Sequence, residues 1–383
     1  MEIVLAALLS GAAVYSLLSM LAAWRYLSTR PAELGFLKPI SILKPLAGLD
    51  AGLESNLRTF FEQDYPAFEI LFAVRHRDDA AVAVIEKLQA DYPRVPSKLI
   101  VTGEPPYPNA KVFSLDRMLR SASNELIVMS DSDTRVDPRL LRTIAAEFQD
   151  PKLGIATCPY RAIAQDSLGS RLETTGMNTE FLAGVLVARM LEGMHFAIGP
   201  TIAARRTALA AIGGFSRLKD YLAEDFVMGK LAAEAGFRVI LSSYVIEHHI
   251  GGGDWRDIAS HRLRWVRSTR RSRPLGYVGQ LFTMTLPLAL MLCAAVPAWW
   301  PAAMAAVALR FASAYVVSRA VVRARIDWLL LPVEDVVAFL FWISGFFGRT
   351  IEWRGRRYHV HADGRFELAV DHAAVAVSIP DEP

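Results

Sequence analysis

The chain has 383 residues, 53% of them apolar, and its mean hydropathy of +0.26 is high for a soluble enzyme. A formal net charge of +3 is too small to signal nucleic-acid binding. Two cysteines, Cys158 and Cys293, exclude a disulfide framework and a cysteine-based metal site.

The apolar surplus lies at the two ends. Ile3 to Trp24 is charge-free for 22 residues, enough to cross a hydrocarbon core of ~30 Å. No basic stretch precedes it and no small-x-small cleavage site ends it, which argues for a retained anchor over a signal peptide. Trp24, Arg25, Tyr26 and Arg30 then read as an interfacial belt with positive charge on the cytoplasmic side. The expected divisions are an anchor over 1–30, a cytosolic domain over 36–273, a membrane block over 274–348 and a basic tail over 349–383.

From Phe36 onward strand and helix alternate. Strands are expected at Ile40–Lys44, Glu69–Val74, Lys98–Val101 and Leu126–Met129, with helices at 52–63, 80–92 and 111–121 between them. That βα series predicts an α/β fold, a doubly wound parallel sheet with helices on both faces. Asp137-Pro138 is expected to open a further helix. The second half reads as a long helix over Ser167–Met190, a strand over Phe196–Ala203, a turn at Gly213-Gly214, a helix over 223–235 and a strand over 237–241.

Candidate chemistry follows the same order. Asp79 closes the run Arg75-His76-Arg77-Asp78-Asp79 after the second strand, which alone reads as a solvated loop. Asn109-Ala110-Lys111 precedes a helix, where a lysine and free backbone N–H groups suit a phosphate or a base edge. Asp131-Ser132-Asp133 ends the Leu126 strand. Two acids one residue apart at the carboxyl edge of a sheet can hold a hard divalent cation, and through it a diphosphate; a turn with an Asp cap is the competing account. Glu224-Asp225 opens a helix, where an acid also complements the helix dipole; Glu224 is expected to point away from its neighbour's site. His248-His249 ends a strand before Gly251-Gly252-Gly253 and is taken as structural or as a secondary contact. His261-Arg262-Leu263-Arg264-Trp265 lies on a basic amphipathic helix, with His261 and Arg264 on one face; membrane-surface binding is its alternative role.

After Arg273 the chain is charge-free up to Arg310. Pro297 to Pro301 divides this block into segments of about 277–296 and 299–318. A third, about 328–348, carries Glu334 and Asp335 and is expected to be interfacial or re-entrant. Three full spans would put the tail on the far side, whereas Arg349, Arg354, Arg356 and Arg357 argue that it stays with the domain.

Taken together, Ser41–Asp50, Phe60-Phe61-Glu-Gln-Asp-Tyr-Pro66, Asp79, Asp131, Asp225 and His261-x-x-Arg264-Trp265 resemble the GT-A glycosyltransferases of the ceramide glucosyltransferase type, from about Ser41 to Trp265. The run Arg267–Tyr277 resembles bacterial members associated with hopanoid biosynthesis. His261 departs from the family's Gln or Arg, and Asp133 completes a DxD that some members lack. The resemblance implies a UDP-sugar donor, a membrane-lipid acceptor, an Mg2+ or Mn2+ ion and inversion at the anomeric carbon. It implies a metal site at Asp131 and Asp133, donor binding by Asp79, Lys111 and Asp131, and Asp225 as base. His261 and Arg264 would stabilise the departing diphosphate, and Trp265 would close the acceptor pocket. A processive polysaccharide synthase and a transporter or receptor with a cytosolic binding domain are the rivals. A haloacid-dehalogenase-type phosphatase is disfavoured by Arg135, where that class carries Thr or Val. The sugar, the lipid and the oligomeric state are not specified by any motif.

Overall fold

The computed structural model describes residues 1–29, 35–253, 255–353 and 356–369; Arg30, Arg354 and the last 14 residues of the expected tail lie outside them. Helix α1 (Glu2–Leu27) leads to β1 (Ile40–Pro45), α2 (Leu53–Phe61), β2 (Phe68–Val74), α3 (Ala81–Asp91), β3 (Ser97–Val101), α4 (Ala110–Ser121) and β4 (Leu126–Ser130), in the expected order. The four strands are parallel. Alternate residues face opposite sides, so Ile42 and Val128 enter one core while Leu43, Ile127 and Met129 enter another. Both faces are thus covered, as continuous branched runs require.

Next come β5 (Thr134–Arg135), α5 (Leu140–Glu147), β6 (Leu153–Thr157), β7 (Tyr160–Ala164), α6 (Leu168–Gly176) and α7 (Leu182–Glu192). β8 (Thr201–Arg205), α8 (Arg206–Ala211), α9 (Glu224–Glu234), β9 (Arg238–Leu241), β10 (Ile246–Ile250) and α10 (Trp255–Ser272) complete the domain. The main sheet has the order β3-β2-β1-β4-β8-β6-β9. It is mixed rather than wholly parallel, because β8 runs antiparallel to both β4 and β6. The strand expected over 196–203 begins only at Thr201, since residues 196–200 pack against α9 instead: a Cβ on Gly229 would lie 2.3 Å from the Ala197 nitrogen. Asp137-Pro138 precedes a helix that starts at Leu140, and its carboxylate accepts the Arg139 N–H at 2.9 Å. The long helix is continuous from Leu168 to Glu192 but carries a π-helical turn at Met177–Phe181. A small sheet, β5-β10-β7, crosses the carboxyl edge of the main one.

The membrane block contains α11 (Pro274–Gly279), α12 (Thr285–Ala295), α13 (Trp300–Tyr315) and α14 (Leu330–Ser344). Among the described residues, two helical stretches are long and apolar enough to cross a bilayer, Glu2–Leu27 and Pro297–Val321. The expected span over 277–296 is broken, with Pro274–Thr283 and Thr285–Ala295 meeting at 64°. Leu5, Leu9 and Ala12 of α1 pack with Leu288 and Leu292 of α12 and Ala303 and Ala306 of α13. In α14, Glu334 accepts both Arg262 terminal nitrogens at 2.9 Å, and Asp335 pairs with Arg310 at 2.9 Å. Part of the expected tail is ordered: β11 (Thr350–Trp353), β12 (Arg356–Val360) and β13 (Phe366–Leu368) form an antiparallel sheet. It docks on the α/β domain through Phe366 N–H to Asp220 O at 2.8 Å and a Tyr221–Arg365 bridge.

Candidate active site

Below the acidic turn lies a lysine. Lys44, fully buried near the end of β1, donates to the Asp131 carbonyl, to Thr134 Oγ1 at 3.2 Å and to Ser130 Oγ at 3.3 Å, with its ammonium 3.9 Å from the Phe60 ring centroid. Burial lowers its pKa to about 7, against the pull of Asp131 and Asp133. The Asp131 N–H donates to the Pro200 carbonyl at 2.9 Å, and Asn56 Nδ2 donates to the Ser132 carbonyl at 3.2 Å. The turn is therefore held from three sides, and its two carboxylates point into a cavity.

Each carboxylate meets a different cation. Asp131 Oδ1 lies 2.8 Å from Lys111 Nζ, in the first turn of α4, and Lys111 also reaches Glu224 at 3.1 Å. Asp133 Oδ2 lies 3.2 Å from His248 Nε2 on β10. Burial pushes the Asp131 carboxyl up, with Lys111 opposing. Burial would raise Asp133 too, but the facing His248 together with the charges of Lys44 and Lys111 outweighs it and brings the carboxyl down to about 2. His248 is raised in turn: burial, the largest single effect, lowers it, but the charge and hydrogen bond of Asp133, with Asp131 and Glu173 behind them, together outweigh burial. Sequence reasoning had set His248 aside. Its signal was faint, a polar pair ending a strand that only the fold carries to the DxD turn.

At the start of α9, Asp225 Oδ1 accepts its neighbour Phe226 N–H at 2.8 Å. A Cβ on Gly199 would stand 2.9 Å from Asp225 Oδ2, so the glycine is what admits this carboxylate. Burial, then the charge of Glu224, raises the Asp225 pKa to about 7. Glu224 does not point away as expected. It is buried, pairs with Lys111, and stands 3.4 Å from Asn109 Nδ2, the side chain that caps α4.

On α10, His261 Nδ1 lies 2.6 Å from Glu173 Oε1, a buried carboxylate of α6 that no motif flagged. The Trp265 ring lies 5.1 Å from His261 and 5.7 Å from Phe181, which itself stacks on Tyr160. Arg264 stands 5.8 Å over the Trp353 ring of β11. Asp79 lines the same cavity, but its carboxylate is engaged by backbone: Gly48 N–H at 3.0 and 3.1 Å and Ala81 N–H at 2.9 Å. It thereby shapes the loop after β1.

All eight expected residues, Asp79, Lys111, Asp131, Asp133, Asp225, His261, Arg264 and Trp265, line one cavity of about 1380 Å³. Acids, lysine and histidine line part of it. The same cavity is lined by Tyr15 and Leu18 of α1 and by Phe282, Ala338 and Phe341 of the membrane block. The DxD residues suit a divalent cation. Asp133 Oδ1 is buried without a hydrogen-bond partner, as is His248 Nδ1. Among the described residues no three His, Cys, Asp or Glu side chains are grouped to hold an ion unaided. A cation here would complete its shell from phosphate oxygens and water, the regime that suits Mg2+.

Comparison with known proteins follows the same lines. The description Glycosyl transferase family 21 matches residues 3–366. Ceramide glucosyltransferase 1 of Caenorhabditis elegans is 28% identical over 209 residues, 54% of this chain and 44% of that protein. Ceramide glucosyltransferase 3 of the same organism is 27% identical over 229 residues, 60% and 50%. The chain spans about half the length of these curated relatives. A mannosyltransferase from Pyrobaculum calidifontis, solved in complex with GDP-Man and Mn2+, is 18% identical and superposes with a TM-score of 0.58 over 90% of this chain and 99% of that one. The fold is that of the GT-A glycosyltransferases.

Proposed function

Because the chain belongs to glycosyl transferase family 21, we propose that it transfers a hexose from a UDP-sugar to a hydroxyl of a membrane lipid, with inversion at the anomeric carbon. One observation carries this reading: the cavity that holds Asp131, Asp133 and Asp225 continues to α1 and to the membrane block. A soluble acceptor has no need of such a passage.

In this reading Asp131 and Asp133 would hold Mg2+ or Mn2+, which would offset the charge of the leaving diphosphate. Lys111, at the N-terminal turn of α4, faces the same charge from the other side. Asp225 takes the proton of the acceptor hydroxyl as its oxygen attacks the anomeric carbon and the bond to the UDP oxygen breaks. Its pKa of about 7 suits that step. His261, steadied by Glu173, and Arg264 would stabilise the departing diphosphate, and Trp265, on the same cavity, would close the acceptor pocket. The relatives' names favour a ceramide acceptor, whereas the run Arg267–Tyr277 favours a hopanoid polyol; glucose and N-acetylglucosamine are the candidate sugars. The catalytic domain faces the cytoplasm, where UDP-sugars are found. Membranes bearing the protein, given UDP-glucose or UDP-N-acetylglucosamine with either lipid class, should yield one glycolipid by mass spectrometry. Release of UDP without any lipid product would sink the acceptor assignment.

A further inference from the structure

The cavity passes a feature that the transfer chemistry leaves unused. The π-turn at Met177–Phe181 is pinned on both flanks. Asn178 exchanges two hydrogen bonds of 2.9 Å with the backbone of Ala162 on β7. Thr179 Oγ1 donates to Thr175 O at 2.7 Å and accepts from Arg310 at 3.5 Å. The turn's other polar side chain, Glu180, is left on the cavity wall, next to Phe181, which packs against Trp265. Turns of this kind, which insert a residue into a helix, recur at functional sites because they re-aim side chains.

Glu180 differs from its neighbours in that, among the described residues, no ion pair holds it. Glu173 is bound to His261, Glu334 to Arg262 and Asp335 to Arg310. Glu180 instead has beside it the Thr283 hydroxyl, which donates its own proton to the Gln280 carbonyl at 2.7 Å, and the Arg310 guanidinium and the Tyr15 phenol lie within electrostatic reach. Thr283 and Tyr15 line the cavity too. Around these three the wall is apolar: Leu18, Val187, Phe282 and Ala338. A carboxyl and two hydroxyls at the boundary between a polar chamber and an apolar passage are placed where a lipid's head group meets its chains.

Resting on the lipid-transferase reading above, we propose that Glu180, Thr283 and Tyr15 form an acceptor-head subsite, which recognises a second hydrogen-bond donor of the lipid, an amide N–H or a hydroxyl, apart from the hydroxyl that reacts. The carboxyl accepts from this donor, and the two hydroxyls complete the contact. A lipid carrying only the reacting hydroxyl leaves Glu180 with the Thr283 hydroxyl alone once the passage is filled, and a buried carboxyl tolerates that shortfall of donors poorly.

The full chain in detergent micelles is titrated with short-chain ceramide fluorescently labelled on its acyl chain, and with diacylglycerol labelled in the same way. The first offers an amide N–H and two hydroxyls, the second one hydroxyl. Wild type should prefer ceramide by about tenfold or more, the scale of one satisfied buried hydrogen bond. Glu180→Ala should bring the two lipids within about twofold, and Thr283→Val should narrow the gap without closing it. UDP-glucose affinity, measured separately, should hold in both variants, which reports an intact fold and donor end. Equal affinity for the two lipids in wild type, failure to bind ceramide, or a preference that survives Glu180→Ala overturns the subsite. Wild type that prefers ceramide yet forms no glycolipid would instead overturn the transferase reading and leave the subsite standing.

Discussion

Asp225 and Glu224 adjoin in sequence but do different work. Asp225 faces the cavity with a carboxyl tuned to about 7, whereas Glu224 completes the pair that orients Lys111. Asp225→Asn should lower turnover by about 10²–10⁴-fold with UDP-sugar affinity largely kept. Because Glu224 is engaged, the fitting control is Glu234→Gln, at the exposed far end of α9, and it should be silent. Turnover at limiting acceptor should rise with pH through about 7 in wild type, as Asp225 loses its proton. Stability should move the other way. Asp225 binds its proton more tightly folded than unfolded, so the folded domain loses stability between the ordinary carboxylate range and about 7. Asp225→Asn should therefore melt higher than wild type on the alkaline side of that window and gain nothing well below it. His248 gives a separate test. Removing it with His248→Ala should weaken Mn2+ binding in the presence of UDP by about 10–100-fold, read by titration calorimetry, because Asp133 loses the partner that orients it. The acids were legible in the sequence because a carboxylate at a strand end is already chemistry. His248, Glu173 and Lys44 were not, since each acquires its role from a partner on another element that only the fold brings near.

At the level of elements, the first half was legible because each strand from β1 to β3 is followed by a helix of ordinary length and clear period that leads to the next strand. The second half hid its order for a physical reason. β8 is antiparallel, and the five residues before it are drawn out of the sheet to meet Gly229, which no periodicity encodes. α10 and α14 bear on function more directly. Arg262 follows His261 and is the side chain through which α14 grips the catalytic helix, with both partners nearly buried. A Cβ on Gly176 would stand 2.5 Å from Glu334 Oε1, so α6 is also shaped to let this acid in. Arg262→Met alone leaves a buried carboxylate unpaired and should cost about 3–5 kcal/mol, read as a lower melting temperature in micelles. Adding Glu334→Leu should restore most of that loss, because two apolar groups need no partner. If the double variant melts no higher than Arg262→Met, the pair is not the link between the two helices.

For the whole molecule, the docked tail supports one reading of a count that hydropathy left open. Two contacts orient α1. Near its carboxyl end Tyr26 donates to the Ser242 carbonyl of the catalytic domain at 2.7 Å, and at its other end Glu2 accepts from Trp299 Nε1 at 2.9 Å. The turn between α12 and α13 thus lies at the end of α1 remote from the catalytic domain, while β13 is bound to that domain at Asp220. We propose that the chain after α10 leaves and returns, an even number of crossings, with α14 not making a third. Its 15 residues rise only ~22 Å, short of the ~30 Å core, and its two acids are neutralised by Arg262 and Arg310 rather than exposed to lipid. In cells, with Cys293→Ser to remove the one native thiol that is not buried, a cysteine at Ala298 should react with an impermeant thiol reagent. A cysteine at Glu367, exposed on β13, should stay protected until the membrane is opened, as should one at Glu104 on the catalytic domain. Labelling at 367 with protection at 104 would separate the tail from the domain and contradict the docked sheet. Labelling at 367 and 104 with protection at 298 would keep the fold and reverse the proposed orientation, moving the donor site away from the cytoplasmic UDP-sugar pool.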